Sequence, residues 1–546
     1  MRRPLLALIG LIIAGCAGTP KVPPPSTDID DVVFRDDLRA LAADEMEGRR
    51  PGTAGEDKTV TFLTAQFRKL GLKPGNGESY VQRVPLVEST PVVAPSVTLT
   101  GRSGALPLAY AKDVVLWSPR SEPAVRLTRS EIVFVGYGIV APEYDWNDYA
   151  QLDAHGKTVL ILDGDPGAAG HDPSLFKGNA LSVYGRAAYK LEEAARQGAA
   201  AALIIHDART AGYGWSAVLN AWSGPHLELD TGSGTPDSSK PALAGWVTAA
   251  AGHALLSSGG PDADGLISGA GRRGFKAVPL GVSIDAVLTN TIRRFESANV
   301  VASLRGGGRK SEYVLFTAHW DQLGRTPEGA VSSGAVDDAS GVAGLLVLAQ
   351  SFVRTHPTPD RSLLFVAFTA DETQLLGARY YVDHPVVPLN LTAAVLSLED
   401  LHIGGRTRDL MVIQAGNSEL EEYARGAGLL QGREMRADPR ADQGLYYRSD
   451  AIEFALRGVP ALYAVSGIDD AARGPAYGQA QLDEYYARRF RQPADRYSED
   501  FDVRGAVDDL SLYYVIGERV AAMRRFPRWY PNSEFSASHR RAREPG

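Results

Sequence analysis

The stretch Tyr313-Val-Leu-Phe-Thr-Ala-His319-Trp-Asp321 carries a run of buried-strand residues straight into a histidine and an aspartate. Asp337-Asp-Ala-Ser-Gly341 comes next, and a second apolar run then leads into Ala370-Asp371-Glu372. Around these motifs the pattern predicts strands at 314–317 and 363–368 and helices at 342–352 and 375–383. Such alternation implies an α/β fold, a mostly parallel sheet sandwiched by helices. In open sheets of this kind ligands bind outside the carboxyl ends of the strands. His319, Asp337, Asp371 and Glu372 all fall at such ends. A third apolar stretch at 393–398 finishes in Glu399-Asp400.

Imidazole and carboxylate together suit zinc or a similar cation. Asp321 is placed to accept a hydrogen bond from the second ring nitrogen of His319, which would orient the first. Adjacent carboxylates such as Asp371 and Glu372 are costly unless something positive lies between them. One can then bind metal while the other takes a proton from water. Taken singly, each Asp pair also reads as a helix N-cap. The repetition at successive strand ends favours a hydrolytic metal site.

The rest of the chain bounds the possibilities. At 546 residues it exceeds one compact core, so two or three domains are expected. The net charge of -8 and the lack of a basic, aromatic-interleaved patch argue against nucleic acid as a partner. A single cysteine excludes an intrachain disulfide. Arg2 and Arg3, the short apolar run from Leu5 to Ile13 and Ala14-Gly15-Cys16 read as a signal peptide over 1–16. The run is too short for a membrane span, which needs about 20 residues. The residues before Cys16 resemble a bacterial lipobox, which implies lipidation of Cys16 and a membrane anchor. Ala17 after it implies, by the same resemblance, the outer membrane facing the periplasm, within the cell envelope. Residues 17–30, rich in proline, read as a tether.

Helices are predicted at 36–43 and 58–70. A composition shift near Ser121 opens a segment of several strands, a lone helix at 189–197 and polar loops at 231–239 and 257–274. Residues 31–120 are assigned to the first part of the main domain, 121–280 to a β-rich insert, 281–535 to the rest of the main domain and 536–546 to a polar tail.

Across nearly the whole chain after the tether, the sequence resembles the zinc aminopeptidases and carboxypeptidases of the glutamate-carboxypeptidase and transferrin-receptor group. The resemblance is to the bacterial branch that carries a protease-associated domain. The loop 46–53 and Tyr184-Gly-Arg-Ala-Ala-Tyr-Lys190, Ala318–Gly324, Asp337–Gly341 and Arg448-Ser-Asp450 carry the resemblance. It implies that residues 121–280 are the protease-associated domain. It implies two zinc positions: His319 and Glu399 at one, Glu372 at the other, Asp337 bridging, and Asp371 where the base stands. Asp321, Asp338 and Asp400 fall behind these ligands.

Several positions depart from that pattern. The base is Asp371 rather than glutamate, a side chain shorter by about 1.5 Å, one carbon–carbon bond. Glu399 replaces an aspartate. Arg491 stands where the last histidine ligand belongs, and arginine has no lone pair to donate. Gln322 and Ala451 replace two further histidines. The implied cofactor is therefore zinc, one ion or two. Two readings stay open: a zinc-dependent exopeptidase, aminopeptidase-like and acting on peptides, or a pseudo-peptidase that binds peptides or a protein partner. A cyclase- or deacylase-like single-zinc activity is a third. His402 reads as a bystander, and oligomeric state is left open.

Overall fold

A computed structural model describes residues 28–536, apart from 102, 103, 107, 171, 173, 234–236, 238, 259, 261 and 327. The stretch expected to be a signal peptide, with Cys16, most of the expected tether and the residues beyond Ser536 lie outside the described residues.

The main sheet is built on four parallel strands. Arg361–Phe368, Arg309–His319, Thr392–Ser397 and Ala461–Ser466 lie side by side in that order. Antiparallel strands flank them. Val278–Leu304 pairs with Arg361–Phe368 on one side, and Asp409–Val412 pairs with Ala461–Ser466 on the other. The strand Arg361–Phe368 is buried at every position, as expected for a sheet covered on both faces. On one face, helices Asp31–Leu41, Gly341–Thr355 and Arg504–Ala522 enclose Phe316, Phe352 and Phe365. On the other, Leu376–Asp383 and Ala451–Leu456 cover Phe368, Tyr381 and Phe454. The expected strands and helices of this half are present, with ends displaced by a few residues.

A second sheet takes Ser96–Gly101, Ala124–Phe134, Thr158–Leu162, Ala201–His206, Leu243–Thr248 and Val114–Trp117. This unit thus starts before residue 121. Its first strands are short and polar on alternate residues, so composition does not set them apart from the preceding segment. It also holds more helix than one. Trp215–Trp222, Ala249–Ser258 and Ala263–Ala270 join the expected helix, found at Ala187–Arg196. The helix Ala263–Ala270 lies in a stretch expected to be loop. Asp262 accepts from the Asp264 and Gly265 N–H groups and starts it despite the small, polar sequence.

One strand joins the two sheets. Val278–Leu304 runs 27 residues as one strand, with register shifts between Pro279 and Ser283 and between Ile284 and Ala286. Its first part pairs with Ala124–Phe134 in the second sheet, and from Asn290 onward it pairs with Val81–Pro91 in the main sheet.

The loops above the parallel strands hang on one buried arginine. Arg49 sits at 0% exposure. Its guanidinium donates to the carbonyls of Trp320 at 2.7 Å, Leu41 at 2.8 Å, Ser333 at 2.6 Å and Gly334 at 3.2 Å. Three of these carbonyls come from the loops that connect the His319 motif to the Asp337 motif. Arg49→Met should leave all four without donors and cost about 3–5 kcal/mol, read as a lower urea midpoint. Arg49→Lys should recover only part of this, because an ammonium cannot reproduce the planar fork.

Candidate metal centre

The strand Arg309–His319 delivers His319 beside the end of its neighbour, with His319 in register with Phe368. Asp338 ties this strand end to the start of the next helix. Its Oδ2 accepts from the His319 N–H at 3.1 Å, and its Oδ1 accepts from the Gly341 N–H at 3.0 Å. Gly341 tolerates no side chain there, since a Cβ would stand 2.3 Å from both Asp338 Oδ1 and the Leu398 carbonyl. This explains the glycine that closes Asp337-Asp-Ala-Ser-Gly341. Asp337 is oriented by Asp495, which accepts from the Val336 and Asp337 N–H groups.

His319 Nε2 lies 3.2 Å from Asp337 Oδ1 and 3.8 Å from Asp371 Oδ2. Its Nδ1 faces the main-chain carbonyl of Asp321 at 3.3 Å, while the Asp321 carboxylate stands 3.7 Å away. The expected side-chain orientation by Asp321 is therefore replaced. That carboxylate instead accepts from the N–H groups of Asp371 at 2.9 Å and Glu372 at 3.4 Å and shapes the turn that carries them.

Glu372 faces two partners of this chain. Arg491 Nε approaches its Oε2 to 2.8 Å, and the Gln322 amide donates to its Oε1 and also to the Asp337 carbonyl at 2.8 Å. The Arg491 N–H does not point squarely at the oxygen, so this pairing is mainly one of charge. Glu399 Oε1 accepts from the Asp450 N–H at 3.1 Å and the Ser397 hydroxyl at 3.2 Å. Asp450 in turn accepts from Ser397 and Thr317. Asp400 Oδ1 is buried without a partner.

The electrostatics follow from this crowding. Burial pushes the carboxyls of Asp338, Asp371, Glu372 and Glu399 well above their usual range, reinforced in each case by neighbouring carboxylates. Burial and then Asp337 raise Asp400 to about 8. Burial also works against Asp337, but its hydrogen bond with His319 and the charges of His319 and Arg491 hold it below the usual value. Burial opposes charge on His319 too, yet Asp371, Asp321 and Asp337 raise it well above an ordinary histidine.

A cation of the chain's own, Arg491, already faces Glu372, and the Gln322 amide holds its other oxygen. Of the sequence-derived residues, the structure brings His319, Asp337 and Asp371 together and pairs Glu372 with Arg491. Glu399 is tied to Asp450 and Ser397. His402 lines a separate cavity with Asp400 and Tyr463.

Two contributors were not singled out in the sequence. Asp495 holds the Asp337 turn. Asn220, on the helix Trp215–Trp222 of the second sheet's unit, donates to the Arg491 carbonyl at 2.8 Å and to Gln492 Oε1 at 3.0 Å. Arg491 itself takes a φ of 56°. No local pattern marks a contact between residues so far apart in the chain.

Comparison with known proteins agrees with the geometry of the fold. Residues 299–515 match the model of Peptidase family M28. A vacuolar membrane protease of Schizophyllum commune is 35% identical over 112 residues, covering 20% of this chain and 11% of that protein. One from Saccharomyces cerevisiae is 33% identical over 142 residues, 25% of this chain and 14% of that protein. The matched part is thus a small fraction of those proteins. The solved aminopeptidase from Aneurinibacillus sp. strain AM-1 superposes with a TM-score of 0.50 at 22% identity, over 92% of this chain and 96% of that one, which is a likeness of fold. The family match and the likeness of fold thus coincide over residues 299–515.

Arg491→Ala should leave Glu372 buried without its cation and cost about 3–5 kcal/mol in a denaturant titration. Removing both charges, Arg491→Met with Glu372→Gln, should cost clearly less than the single change, because no uncompensated charge remains.

Proposed function

We propose that this chain binds peptides in an M28-type cleft whose second metal position has passed to Arg491, leaving hydrolysis impaired. The observation that carries this reading is the Arg491 guanidinium 2.8 Å from Glu372. A divalent cation would have to expel both this group and the Gln322 amide to reach the same carboxylate. The framework around the site is kept: the Asp338 cap, the Asp321 turn, the Asp495 turn and the open cleft. A frame kept with its ligand positions altered fits binding better than turnover.

A zinc-dependent exopeptidase of aminopeptidase type is the second reading, with one zinc per chain at most. It draws support from the proximity of His319, Asp337 and Asp371 and from the peptidase family match. Asp371 Oδ1 is buried without a hydrogen bond, so Asp371 is the carboxylate placed to take a proton from an attacking water. Its shorter arm places it imperfectly, and a displacement of about 1 Å costs on the order of 10²-fold in rate.

Within the same proposal, the unit centred on residues 121–280 acts as a protease-associated domain. Cys16 carries a lipid anchor that places the chain in the cell envelope, at the outer membrane facing the periplasm. The basic and apolar start and the small residues before Cys16 support this. The vacuolar relatives are, by their names, membrane proteases. Peptides and the membrane are the partners.

Elemental analysis of protein purified without chelator, combined with an aminoacyl-anilide assay, tests the reading. At most one zinc per chain and a low rate are expected. Asp371→Glu with Arg491→His should raise zinc uptake and increase the rate by on the order of 10²-fold, while neither change alone suffices. Two zinc ions in the native chain, or a native rate above that of the double variant, would show a working site and sink the proposal.

A further inference from the structure

The four parallel strands carry the carboxylate cluster at one end and a different surface at the other. Arg361 opens its strand at that other end, and three chain segments meet around it. Its guanidinium donates to the carbonyls of Val520 at 2.5 Å, Met523 at 2.6 Å and Arg524 at 3.5 Å, where the helix Arg504–Ala522 finishes. Arg309, in register with Arg361 on the next strand, donates to the Ala522 carbonyl at 2.8 Å. These bonds satisfy carbonyls that a helix leaves open at its C-terminus and offset the negative pole there. Gly306 lies against the Arg361 main chain, where a Cβ would stand 2.5 Å from the carbonyl carbon.

The surface assembled in this way is basic. Segments 305–312, 354–361 and 518–528 hold nine Lys and Arg against three Asp and Glu, in a chain whose net charge is -8. Neighbouring acids answer part of the surplus. Asp28 and Asp30 face Arg354, with exposed Asp31 beside them, and Glu419 is shared by Arg525 and Arg528. Arg305, Lys310 and Arg524 are exposed and form no ion pair among the described residues. The same holds for exposed Lys73, which stands opposite Ser303 on the paired strand. These cations come from separate segments, so no local run of the sequence marks the surface.

Two observations point to what covers it. The chain enters the fold at this end, with Asp28 held 3.4 Å from Arg354. Residues 17–27, between Cys16 and Asp28, can span at most about 40 Å. A lipid on Cys16 therefore keeps the basic end close to a bilayer. The carboxylate cluster is remote from it. Helix Gly341–Thr355 starts at the Asp338 cap and runs about 22 Å to the turn beside Arg354. Each Lys or Arg brought near an anionic bilayer adds on the order of fivefold in affinity.

We propose that the basic end of the main sheet, around Lys73, Arg305, Lys310 and Arg524, rests on an anionic lipid bilayer, so that the cleft opens away from the membrane. The inference rests on the lipid anchor proposed at Cys16 and gives it an orientation.

The test uses the mature chain as the cell processes it, mixed with vesicles of phosphatidylcholine alone or with about 30% phosphatidylglycerol to supply negative charge. Flotation reports the anchor, and mass spectrometry of lysine acetylation reports the covered face. Lys73 and Lys310 should be labelled at least about threefold more slowly on the anionic vesicles than on the neutral ones. Lys112 and Lys276, exposed in the second sheet's unit, should be labelled equally on both. Salt at about 0.5 M should abolish the difference, because screening shortens the reach of charge to about 4 Å. Arg305→Glu with Arg524→Glu should abolish it as well, with both lysines kept as reporters. Arg305→Gln with Arg524→Gln should weaken it, and stands in if the first variant does not fold by circular dichroism. Equal labelling of Lys73 and Lys310 on the two vesicles, or slowing at Lys112 and Lys276 instead, would overturn the docked face alone. A chain that floats with neither vesicle would overturn the anchor beneath it.

Discussion

Carboxylates gathered at the ends of parallel strands must find positive charge, and this need organises the centre of the molecule. Asp337, Asp371, Glu372 and Glu399 are each at most 8% exposed. Isolated in that way, ionised groups cost several kcal/mol apiece. The chain answers with its own side chains. Arg491 enters at Glu372, His319 lies between Asp337 and Asp371, and Ser397 and the Asp450 N–H satisfy Glu399. A cation carried on a side chain is present in every copy and at every metal concentration. It is also fixed in position, and it has no open coordination position at which a carbonyl could be polarised.

The arginine is held by a unit that supplies none of the strand-end carboxylates. Asn220 grips the main chain of Arg491, Gln492 reaches Ser216, and Tyr213 lies against Phe490 with ring centroids 5.5 Å apart. The helix Trp215–Trp222 therefore sets the path of the turn that points Arg491 inward. Energetically the centre and the second sheet's unit are one object, although their hydrophobic cores are separate.

The strands and their acidic ends are legible in the sequence because each is a local pattern. An apolar run ending in Asp or Glu needs no partner to be recognised. The pairing of Arg491 with Glu372 can be argued from the sequence because the family resemblance expects a ligand there and arginine cannot ligate. Other features leave no such mark. Arg49 looks like one more basic residue in a turn, yet it binds four carbonyls, three of them from distant segments. Asp321 is expected to steer an imidazole but shapes a backbone turn, and both roles are compatible with His-x-Asp. The start of the second sheet is hidden because Ser96–Gly101 alternates polar and apolar residues like any half-exposed strand. Helix Ala263–Ala270 is hidden because small residues give little periodic signal, and its Asp262 cap decides the matter.

The strand Val278–Leu304 gives the chain a rule about its own length. Side chains alternate faces with a period of two, and from Asn290 onward the strand pairs in regular register. Losing or gaining one residue near Asn290 would leave one sheet's inward positions in place and turn the other's outward. Two residues would restore the phase. Descendants of this chain can therefore lengthen or shorten the span between its two sheets only by even steps, unless a bulge absorbs the odd one.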